Sequence, residues 1–194
     1  MTMVGRTITG ATALLIMDVQ NGIVDRLAEG ADTLLDAVSA ARDTARAAGI
    51  AVLYVRVAFR EGSPEVSAKN KSFSLIAGSS LLSEDNESTR IHDRLTPGEG
   101  EVLVTKRRVS AFAGSDLDVV LRANGVDHVV LCGIATSGVI LSTTRQAADL
   151  DLQITILSDA CADADPEVQR VLMEKVFPRQ ATVTTTGEWA QQLL

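Results

Sequence analysis

A Rossmann-like three-layer α/β sandwich, with a six-stranded, mostly parallel sheet covered by helices on both faces, is the fold class this sequence predicts. Three observations carry the prediction. Short runs that are apolar throughout, such as TALLIMDV at 12–19 and VVLC at 129–132, read as strands buried on both faces. Between such runs, apolar residues return at helical spacing, as at Leu34, Leu35, Val38, Ala41 and Ala45. The alternation repeats along the chain, which implies right-handed parallel crossovers.

In order, the first strand is 12–19, broken by Asp18 near its end and closed by Gln20-Asn21-Gly22. A helix follows from Asp32, as its cap, to Gly49, as its stop. The second strand is 50–57. Residues 58–100 are polar and lack a sustained period, which predicts a functional loop region, a lid or partner contact, with a helical turn or two within 88–95. EVLVT, 101–105, is the third strand and ends at Lys106. Ser115 and Gly125 bracket a helix over 116–124, the fourth strand is 128–132, and a helix covers 138–150. LQITIL, 152–157, is the fifth strand. Pro166 suits the first turn of a helix to Val176, 181–185 is the sixth strand, and a helix over 186–193 closes the chain. With no repeat or linker, 1–194 reads as a single domain.

A chain of 194 residues with 46% hydrophobic content has material for one sizeable core, and with 3% aromatics that core must be built from Ala, Val, Leu and Ile. The net charge of −7 argues against nucleic acid or an anionic membrane as partner; Lys106-Arg107-Arg108 is the one local basic cluster. No apolar run has transmembrane length, and MTMVGRTITGATALL lacks the charged-then-apolar layout of a secretion signal. Cys132 and Cys161, both in apolar surroundings, suggest a reducing cytoplasm rather than a disulfide framework. His92 and His128 are the only histidines and read as surface residues; no metal and no cofactor is expected. Neither a G-x-x-x-x-G-K nor a G-x-G-x-x-G pattern is present, so a phosphate loop or dinucleotide site has no support.

In an open parallel sheet, ligands bind at the carboxyl ends of the strands, near the point where strand order reverses. That rule gathers Asp18, Arg56, Phe59, Lys106 and the turn GIATSG, 133–138, to one rim. Burial would raise the Asp18 pKa and a nearby Lys106 would lower it. Together they would supply a proton-transfer group and a charge stabiliser; the alternative is a structural ion pair or a cap on the next turn. Arg107 and Arg108 are either solvated or bind carboxylates. Cys132 reads as a buried strand residue, and Cys161, in SDACAD after the fifth strand, as a core or turn residue.

ALLIMDVQNG, VTKRRVSAFAGSDLDVVLRANGVDHVVLCGIATSG and LSDACAD resemble the isochorismatase-like hydrolases, the superfamily that includes nicotinamidases and N-carbamoyl amide hydrolases. The resemblance runs from about Thr12 to Val183. It implies a small-molecule hydrolase with an Asp–Lys–Cys triad, of which Asp18 and Lys106 match two members. The cysteine belongs six residues after Gly133, where this sequence has Val139; that closes the thioester route. Some members work without the cysteine: isochorismatase-type enzymes hydrolyse a vinyl ether, the aspartic acid protonating carbon before water attacks. Lys106 with Arg56, Arg60 or Arg108 would then surround the substrate carboxylates. The turn of those enzymes has larger residues than ATSG, however, so their substrate does not carry over. The resemblance further implies a cis peptide at Ile134–Ala135 and assembly as a homodimer or homotetramer, while the zinc ligands of the nicotinamidases are missing. Gln20, Phe59 and Phe112 are the expected pocket walls, with Ala135, Ser137, Gly138 and the Val139 backbone contacting substrate from the turn. A catalytically lapsed member, acting as a small-molecule binding or interaction protein, is the competing reading.

Overall fold

Six strands form one sheet: β1 (Ala11–Met17), β2 (Ala51–Val57), β3 (Val102–Lys106), β4 (Val126–Ile134), β5 (Gln153–Ala162) and β6 (Thr182–Thr184). The computed structural model describes residues 11–27, 30–76 and 79–193; the N-terminal reading, and residues 1–10 of the single domain, lie outside the described residues. Every pairing is parallel, in the order β3-β2-β1-β4-β5-β6. The sheet is therefore wholly parallel, and strand order reverses between β1 and β4. The apolar runs explain why these two strands are central: Leu14 to Met17 and Val129 to Cys132 are 0% exposed, walled on both faces.

The helices are α1 (Asn21–Val24), α2 (Ala31–Ala47), α3 (Lys71–Ser74), α4 (Leu117–Ala123), α5 (Leu141–Asp149), α6 (Pro166–Val171) and α7 (Thr186–Gln192). Right-handed crossovers from β1 to β2 and, in the opposite direction along the sheet, from β3 to β4 and β4 to β5 put α2 on one face and α4 and α5 on the other. Helix α2 lies across β1, β2 and β5 and meets α7, while α5 packs on β5 and α4 on β4.

The structure departs from the sequence reading at the ends of elements. Asp32 does not cap α2; Gly30, at φ 82°, holds that position and Asp32 lies in the first turn, where its charge suits the helix dipole. Asp116 takes the cap position of α4, yet Ser115 Oγ still accepts the Leu117 N–H at 3.3 Å. β4 extends to Val126 and Ile134 because it has parallel partners on both sides. β5 runs on to Ala162, so Cys161 lies in a strand rather than after one; beyond a register shift, Gly133 pairs with Cys161. Among its described residues, the 58–100 segment holds α3 and one-turn 3-10 helices at Ser80–Leu82, Glu87–Thr89 and Asp93–Leu95. It folds on itself through Phe59 N–H to Leu82 O (2.7 Å) and is pinned to the chain just after β1 through Asn21 N–H to Arg90 O (3.0 Å) and His92 N–H to Val19 O (2.9 Å).

Candidate active site

Asp18 follows β1 directly, with φ 56° and its N–H donated to Val55 O at 2.8 Å. Lys106 ends β3, two strands away, and is 1% exposed. Its Nζ lies 2.8 Å from Asp18 Oδ2 and donates to Arg108 O and Val109 O, each at 3.0 Å. Those three contacts use all three ammonium hydrogens. The second carboxylate oxygen, Asp18 Oδ1, is buried and has no hydrogen-bond partner among the described residues. Burial pushes the Asp18 carboxyl above its ordinary range, against the charge and hydrogen bond of Lys106, which pull it down. The pair thus offers one oxygen fixed on a cation and one left open for chemistry.

The β4 turn brings the opposite wall. Gly133 sits at φ 131°, and a Cβ there would lie 1.9 Å from Met17 O, so only glycine lets β4 come this close to β1 where the strand order reverses. The peptide Ile134–Ala135 is cis. A π-helical turn, Thr136–Ile140, then leads into α5, with Ile140 N–H bonded to Ala135 O at 3.3 Å. Val139, on that turn, is 2% exposed.

A cavity of about 400 Å³ lies between these walls, lined by Asp18, Lys106, Ala135, Gly138 and Val139. Its other walls are mostly apolar, with Ile23 from α1, Leu27 just beyond it, Val57 from β2 and Phe73 from α3. Exposed Arg26 and buried Lys106 are the cations lining it. Sequence reasoning missed Arg26 and Phe73. Ile23, Arg26 and Leu27 stand at i, i+3 and i+4 after the first strand, a spacing that could have marked one face. Nothing local marks Phe73, which reaches the site on the one-turn helix α3 within the long segment.

Several expected pocket residues lie elsewhere. Gln20 is no pocket wall: its Nε2 donates to Val57 O and Thr89 O, both at 3.0 Å, and its Oε1 accepts Val57 N–H at 2.8 Å. A fully buried carboxamide is satisfied by backbone, and here it staples the long segment to the sheet. Phe59 packs edge-on against Phe73 with ring centroids 5.3 Å apart, behind the wall rather than in it. Phe112 is buried in the main core. Ser137 is exposed, its N–H donated to Asp163 Oδ2 at 2.7 Å.

The three arginines expected around the substrate are also absent from the cavity. Arg56 bonds Thr105 Oγ1 at 3.1 Å, Arg60 pairs with Glu65 at 2.6 Å, and Arg108 donates to Glu65 O at 2.8 Å. Arg107 meets Glu84 and Glu65. The basic cluster therefore anchors the long segment. His128 is half-buried, bridging Thr12 Oγ1 (3.2 Å) and Thr155 Oγ1 (2.9 Å) across the sheet, and burial lowers its pKa.

Neither thiol lines the cavity. Burial pushes Cys161 up to about 12 and Cys132 well above its ordinary value, so neither forms a thiolate readily. Among the described residues, no three His, Cys, Asp or Glu side chains converge as a metal-binding group, and no helix is long and apolar enough to cross a membrane.

Comparison with known proteins gives one consistent family. The isochorismatase domain model matches residues 12–188. YwoC of Bacillus subtilis, an uncharacterized isochorismatase family protein, is 31% identical over 94% of this chain and 94% of its own. The ureidoacrylate amidohydrolase RutB of Azorhizobium caulinodans is 30% identical, with 92% of this chain and 88% of that protein covered. The structure of an isochorismatase family protein from Burkholderia thailandensis superposes with a TM-score of 0.83 at 26% identity, covering 94% of this chain and 95% of that one.

Proposed function

Because the chain belongs to the isochorismatase family of hydrolases, we propose that it hydrolyses a small molecule by acid–base chemistry of Asp18 and Lys106, without a cysteine nucleophile. One observation carries this reading: Asp18 lines the cavity, and its Oδ1 is buried with no hydrogen-bond partner among the described residues while its Oδ2 is held on Lys106. An acid that keeps its proton donates it from Oδ1 to the substrate; water adds to the cation so formed, and the carboxylate left on Asp18 is stabilised by the ammonium 2.8 Å away. The carboxylate recovers a proton from the attacking water, and the adduct then collapses: its new hydroxyl becomes a carbonyl as the bond to the leaving group breaks, and the hydroxyl proton departs with that group. Val139 stands where the family resemblance places the nucleophile and contributes an apolar wall, with the backbone at Ala135 and Val139 assigned to the reacting oxygen.

Two outcomes test the division of labour. Cys132→Ala and Cys161→Ala are each expected to keep wild-type turnover on a panel of amides, esters and vinyl ethers, at a stability cost of about 1 kcal/mol for one deleted buried atom. An inactive Cys161→Ala that remains folded would sink the cysteine-free mechanism. Lys106→Met removes the charge that pulls the Asp18 pKa down, so carboxyl-carbon NMR is expected to show Asp18 titrating at higher pH than in the wild type. An unchanged or lower titration point would mean that Lys106 does not tune the acid.

The lapsed-enzyme reading draws on the same Val139, since an apolar wall in place of a nucleophile suits a binder. It expects no turnover anywhere in the panel while a ligand still raises Tm.

We also propose a cytoplasmic location and a homodimeric or homotetrameric assembly, which size-exclusion chromatography with light scattering tests directly.

A further inference from the structure

Behind the catalytic cavity lies a second chamber of about 200 Å³. The two share four walls, Ile23, Arg26, Val57 and Phe73. Beyond them the chamber is closed by Ile76, Leu81 and Leu82 of the long segment. Its floor is the contact of Gly22 with Ser88, so tight that a Cβ on Gly22 would lie 2.7 Å from Ser88 Cβ. The Ser88 hydroxyl is already engaged by the Leu81 carbonyl and the Asn86 carboxamide. Among the described residues Arg26 is the one charged side chain lining the chamber, and it is shared with the catalytic cavity.

We propose that the substrate is amphipathic, with a polar reacting group at Asp18 and an aliphatic or aromatic arm that passes Phe73 into this chamber. The proposal rests on the Asp18 cavity being the catalytic one. Away from Arg26, a chamber walled by side chains of this kind rewards a ligand through apolar burial. The reward is available because the wall is not already dry: Leu81 keeps 47% of its surface exposed. The partition is fixed rather than fluid, since Phe73 is held edge-on to Phe59 and its N–H is capped by Asn70 Oδ1 at 3.1 Å. An arm lying along that ring meets a preformed surface, which spares the entropy of arranging one.

The test is a homologous series of primary carboxamides, from butanamide to decanamide, with affinities read by ligand-observed NMR on the full chain. Affinity is expected to tighten about fourfold per added methylene, the value of burying one CH₂, and to level off once the chamber is full. Leu82→Trp fills the chamber, so the longer amides should lose their gain while butanamide binds as before; Ile76→Trp is the second variant should the first misfold. A flat series in the wild type, or a rise that survives in a folded tryptophan variant, overturns the proposal. Asp18-dependent turnover alongside a flat series discards the chamber and keeps the hydrolase; a rising, tryptophan-sensitive series without turnover of any substrate keeps the chamber and discards the hydrolase.

Discussion

Asp18→Asn is expected to lower turnover by on the order of 10²–10⁴-fold, the contribution of a positioned proton donor, while the protein stays folded. Asparagine has the same shape and can still accept from the Lys106 ammonium, which also keeps its bonds to the Arg108 and Val109 carbonyls. What it lacks is a transferable proton at the open Oδ1 position. The pH profile gives the sign. Because burial raises the folded-state pKa of Asp18, the acid form persists above the ordinary carboxylate range, and activity is lost as pH climbs through the raised value. Stability follows the same direction: the folded state holds this proton more tightly than the unfolded chain. The contribution is therefore full below the unfolded pKa and fades as pH rises through the folded one. Asp18→Asn should remove that slope from a plot of Tm against pH. Wild-type turnover in the variant would end the acid–base proposal.

Gly133→Ala should be the most damaging single methyl in the described chain, at about 4 kcal/mol or more, which lowers Tm by roughly 8–16 °C in a domain of this size. The added Cβ would sit 1.9 Å from Met17 O and 2.8 Å from Met17 C. Both are backbone atoms of a central strand, so no side-chain rotation relieves the clash, and φ 131° is poorly suited to alanine besides. Gly125→Ala is the control. Gly125 also has positive φ, at 64°, but a Cβ there meets nothing within 4 Å; it should cost only about 1–2 kcal/mol, the strain alone. Equal melting temperatures for the two variants would show that the close approach of β4 to β1 is not rigid.

The sheet was legible because doubly buried strands must be apolar throughout, as Leu14–Met17 and Val129–Cys132 are. The nearness of Asp18 to Lys106 was legible too, since both lie at the ends of strands and parallel strands place their carboxyl ends on one rim. Where polar residues continue a strand, the pattern failed: Ser158 and Asp159 hid the true end of β5. The partners of charged groups were hidden for another reason. Glu65 and Glu84 claim Arg60, Arg107 and Arg108, and both lie in a segment whose path has no period to read. Gln20 looked like a ligand contact because it follows the candidate acid, and only the fold reveals the backbone groups that occupy it. Phe73 and Arg26 reach the cavity by that same irregular stretch and the turn opposite it.

The carbonyls of Arg108 and Val109 that seat Lys106 belong to the turn whose arginines hold Glu65 and Glu84. Anyone who transplants residues 58–100 from a relative to change what the cavity accepts will therefore also disturb the mounting of the lysine, and with it the strength of the acid. A workable graft carries the 106–109 turn along with the loop as one cassette.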